Sequence, residues 1–70
     1  MKPEEWVERF AEELGGDPPS AAETEAILEL AATAAHASER TAAPVACWVA
    51  GRSGRSLEEL CELAEGIAAG

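Results

Sequence analysis

The chain has 70 residues, with fourteen acidic side chains against five basic ones and a formal net charge of −9. That balance repels phosphate backbones and anionic lipid headgroups, so neither nucleic acid nor a membrane surface is an expected partner. A chain of this length buries only about 60% of the surface its unfolded form exposes, which leaves room for one domain, residues 1–70, and one thin core.

Pro3 suits the first position of a helix, and Glu4 and Glu5 suit the positive end of its dipole. Trp6, Phe10 and Leu14 then recur at i, i+4 and i+8, which predicts a first helix over 3–14, stopped by Gly15 and Gly16. The segment GGDPPS reads as a rigid turn. Ser20 and Glu23 make a capping box that opens a second helix over about 20–39, with Ile27, Leu30, Ala31, Ala34 and Ala35 as its buried stripe. That extent places His36 and Arg40 together on one face near its C-terminal end.

Pro44 belongs to the first turn of a third helix, 42–50, where its missing amide hydrogen costs nothing. The run VACWVA is apolar on every side, which predicts a short helix buried by its neighbours and anchored by Trp48. GRSGR forms the next loop. Ser56 and Glu59 repeat the capping box before a last helix over 56–69, whose inner face is Leu57, Leu60, Cys61, Ala64, Ile67 and Ala68. The expected fold is therefore all-α, a compact bundle of four short helices, with the third short and buried. Its core draws on the larger apolar side chains of every helix, from Trp6 and Phe10 to Leu63 and Ile67, packed among many alanines.

The longest apolar run, AAPVACWVA, falls well short of the roughly 20 residues that span a bilayer, and MKPEEW lacks the blocks of a signal peptide. A cytoplasmic location is expected. In that reducing setting Cys47 and Cys61 are expected to stay apart as small buried hydrophobes. With His36 they offer three metal ligands but no Cys-x-x-Cys pair, so neither a metal nor any other cofactor is expected.

Charge is distributed unevenly. Residues 1–35 hold nine acids against Lys2 and Arg9, and residues 56–70 hold four acids and no base. Between His36 and Arg55 stand Arg40, Arg52 and Arg55 against Glu39 alone, which marks the third helix and its flanking loops as the one non-acidic surface. His36, Arg40, Pro44, Trp48, Arg52, Arg55 and Ser56 are accordingly the candidate partner or ligand contacts. Two simpler roles stand beside this one: His36 and Arg40 complement the negative end of a helix dipole, and GRSGRS serves as a soluble loop with a cap. An anion at the Arg55–Ser56 helix start is a further alternative.

Catalysis has little to draw on. There is one histidine, no tyrosine, and no Gly-x-Ser-x-Gly or His-Glu-x-x-His motif, so the chain is expected not to be an enzyme.

The segment LELAATAAHASERTAAPVACWVAG resembles a small, uncharacterised bacterial helical domain. Its pattern is a helix ending in Ala-His, an arginine four residues on, Ala-Ala-Pro, a hydrophobic helix and a glycine. The opening EWVERFAEELGGDP is similar to that family's first helix and turn. Members occur alone or fused behind a nucleotidyltransferase resembling molybdenum cofactor guanylyltransferase. The resemblance implies an accessory, protein-interaction role in molybdenum cofactor (molybdopterin guanine dinucleotide) biosynthesis, with a guanylyltransferase-like protein as partner. The pattern falls on His36, Arg40, Ala43, Pro44 and Gly51, and departs from the family at Val45, Ala46, Cys47 and Trp48. A domain that binds a nucleotide or pterin phosphate, and a purely structural packing domain, are the alternatives.

Overall fold

Local capping chemistry sets where each helix begins and ends in the computed structural model, which describes residues 1–70 as four α-helices and no strand. Helix α1 (Pro3–Leu14) has proline in its first turn and stops where Gly15 turns left-handed at φ 76°. A side chain at that φ would be strained, and the turn lets the Gly15 and Gly16 amides donate to the carbonyls of Glu12 and Ala11. Helix α2 (Ala21–Ala37) opens with the complete capping box: the Glu23 amide donates to Ser20 Oγ at 3.1 Å, and the Ser20 amide donates to Glu23 Oε1 at 2.8 Å.

Helix α3 (Ala42–Ser53) runs three residues past the expected end, through Gly51, and terminates at left-handed Gly54. Helix α4 (Leu57–Ala69) carries half of its expected capping box. Ser56 Oγ accepts from the Glu59 amide at 3.2 Å, but the Glu59 carboxylate is taken by Arg55 instead of the Ser56 amide.

Helix α2 is the hub. Both α3 and α4 pack on it, whereas no comparable packing joins α3 to α4 or α1 to any other helix. The chain is elongated as a result, with extents of 39 × 24 × 18 Å. Leu30, on α2, is the only buried residue, at 6% exposure. Around it lies a half-buried shelf: Ala26, Ile27, Ala31, Ala34 and Ala35 of α2, Ala43, Ala46, Cys47 and Ala50 of α3, and Leu57, Leu60, Cys61 and Ala64 of α4. The Cys61 thiol ties α4 to α2 by donating to the Ala26 carbonyl at 3.5 Å.

The four-helix, all-α architecture is as the sequence predicts, but three expectations of burial are corrected. The third helix is not buried: none of its residues is, and Trp48 is 63% exposed. Its small residues at 43, 46, 47 and 50 form one side and approach alanine-rich α2 closely, which turns Val45, Trp48 and Val49 outward. Trp6, Phe10 and Leu14 are exposed as well, because α1 finds no partner helix, and Ile67 is exposed at the outer end of α4.

Candidate interaction surface

The outward side of α3 follows from helical spacing. Pro44, Trp48 and Arg52 recur at i, i+4 and i+8, flanked by Val45 and Val49, so all five share one exposed face. The Arg52 guanidinium lies 4.6 Å from the centroid of the Trp48 ring, a cation–π contact that holds both side chains along the helix. From Arg40 to Leu57 the sequence has no carboxylate. This apolar strip therefore contributes no carboxylate of its own on a chain of net charge −9.

His36 and Arg40 are not paired as expected. His36 lies exposed in the last turn of α2, but the helix ends at Ala37, and Ser38 at φ −134°, ψ −104° breaks the helical path. Arg40 stands exposed in the turn to α3, where its own carbonyl accepts from the Ala43 amide. The two residues are thus separated by the helix end. Neither side chain donates to a helix carbonyl, so any stabilisation of the α2 C-terminus by His36 is through charge alone.

Arg55 and Ser56 belong to a different place. Arg55 forms an i, i+4 ion pair with Glu59, and Ser56 caps α4, so both already have partners within the chain. Arg55 also borders an open cleft of about 470 Å³ between α3 and α4, with Leu30 and Ile27 of α2, Cys47 and Gly51 of α3, and Leu57 and Leu60 of α4 around it. Its lining alternates with the outer α3 face: residues 47, 50, 51 and 54 lie on the opposite side of the helix from 45, 48, 49 and 52. Sequence pattern gave no sign of this cleft, since it exists only because α3 and α4 diverge.

Cys61 and Cys47 are both free thiols and half-buried. Burial, together with the nearby carboxylates of Glu29 and Glu65, pushes the Cys61 thiol above the ordinary thiol range. No three histidine, cysteine or carboxylate side chains converge as a metal-ligand group. No helix is long and apolar enough to cross a membrane.

The fold and this surface define a class: a small acidic all-α domain whose largest apolar side chains face outward. Over residues 2–70 the chain matches the domain of unknown function DUF6457, and it belongs to that family. No curated protein and no solved structure matches it.

Proposed function

We propose that this protein is a non-enzymatic interaction module whose docking surface is the outer face of α3. The observation that carries this reading is Trp48, 63% exposed between Val45 at 63% and Val49 at 57%, with Arg52 stacked upon it. An exposed tryptophan costs solvation free energy in an isolated chain, and tryptophan and arginine are the side chains that dominate interface energetics. Arg40 and His36 stand beyond the α2 end of α3 as further contacts, suited to a partner with acidic groups beside an apolar patch.

The partner proposed is a guanylyltransferase-like protein of molybdenum cofactor biosynthesis, and what supports it is the resemblance around His36, Arg40, Ala43, Pro44 and Gly51. Phosphate binding at Arg55 and Ser56 ranks second, because Glu59 already occupies Arg55 and the Ser56 hydroxyl already caps α4. The test is calorimetry of the chain against the guanylyltransferase-like protein of the same genome. Replacing Trp48 and Arg52 together by alanine is expected to weaken binding at least about 30-fold, the scale of losing one hot spot, with the circular dichroism spectrum unchanged. Undiminished binding would remove this face from the proposal.

A further inference from the structure

Two unsatisfied features remain away from the outer α3 face. One is α1, whose Trp6, Val7, Phe10 and Leu14 line one exposed side, with the Trp6 and Phe10 rings stacked at 5.0 Å between centroids. The other is the cleft between α3 and α4, where half-buried Ile27, Leu57 and Leu60, together with buried Leu30, line an opening that no helix of the chain fills. No carboxylate lines the cleft, and its one charged member, Arg55, is paired with Glu59, so α1 with its five glutamates and one arginine meets no unpaired like charge there.

The area sets the scale of what is missing. A compact monomer of 7.3 kDa exposes about 4,200 Å². This chain exposes 5596 Å², a surplus of about 1,400 Å² that exceeds the roughly 800 Å² each partner buries in a standard interface. The chain's own α1 is led away from its cleft by left-handed Gly15 and by Pro18 and Pro19, whose rings fix φ and hold the preceding residue extended. We infer that the occupant of the cleft is α1 of a second copy, exchanged reciprocally about a two-fold axis, so that each α2–α3–α4 unit is completed as a four-helix bundle by its partner's amphipathic helix. This dimer leaves Trp48 and Arg52 free, since they lie on the other side of α3.

Sedimentation equilibrium of the full chain tests it. The expected mass is twice 7.3 kDa. Trp6→Ala removes the anchor from α1, and Gly51→Trp fills the cleft from a helical glycine whose missing Cβ has no neighbour within 4 Å. Each change is expected to raise the dimer dissociation constant by about 30-fold or more while preserving helical circular dichroism. Trp48→Ala is expected to leave the dimer unchanged, which separates failure of this inference from failure of the docking face. A monomeric wild-type chain, with α1 folded onto its own cleft or onto nothing, would overturn the inference. So would an assembly larger than a dimer, or folded variants that stay dimeric.

Discussion

Leu30, on the helix that packs against both α3 and α4, is the only buried residue. Truncation of a buried leucine costs about 2–5 kcal/mol, against a total of about 5–15 kcal/mol for a typical domain and less for one this small. Leu30→Ala is therefore expected to lower the urea midpoint drastically or to leave the chain unfolded, whereas Leu28→Ala, at a position 62% exposed, should shift it little. Cys61 gives a second prediction at this scale. Its pKa is raised on folding, so the folded chain holds the thiol proton where the unfolded chain has begun to release it, and stability falls as pH climbs above the ordinary thiol range. Melting temperatures from about pH 8 to pH 10 should fall more steeply for the wild type than for Cys61→Ala. Parallel curves would contradict that assignment.

Individual residues were legible in the sequence where the chemistry is local. The Ser20 and Glu23 box could be read from four letters because both partners lie within one turn. The same reading at Ser56 was half right, since a competing arginine at Arg55 takes the Glu59 carboxylate. His36 and Arg40 were misplaced because Ser38 ends α2 earlier than its periodic pattern suggested.

At the scale of elements, each helix owes its ends to identifiable residues. The Ser20 cap is the most complete, with two orphan amides satisfied reciprocally, and Ser20→Ala is expected to cost about 1 kcal/mol, measurable as a lower denaturant midpoint with an unchanged slope. Which face a helix buries was harder to read. In α1 the apolar stripe was plain, but periodicity reports only that a stripe exists and says nothing of whether the same chain covers it. In α3 both sides are apolar, so the pattern had no preference, and the choice fell to packing: alanines at 43, 46 and 50 let the α2 and α3 backbones approach, and the larger residues were turned to solvent.

For the whole molecule, the consequence is a hydrophobic surface turned inside out. Buried Leu30 and a half-buried shelf of alanines, Ile27, Leu57, Leu60 and two cysteines make the interior, while two tryptophans, a phenylalanine and several branched residues remain outside. The class of fold was legible from composition and capping, because helix formation is local. The quality of the core was not, because it depends on which helices meet. Such a surface is what the proposed role as an interaction module rests on, since a docking chain would cover its apolar groups.

The most direct measurement is an amide NMR spectrum of the isotopically labelled protein, recorded as the guanylyltransferase-like protein is added. Shifts or broadening concentrated from Pro44 to Arg52, with His36 and Arg40 at the margin and α4 undisturbed, are the expected result. An unchanged spectrum at high concentrations of both proteins, or changes confined to Arg55 and Ser56 that inorganic phosphate reproduces, would contradict the assignment of the outer α3 face as the docking surface.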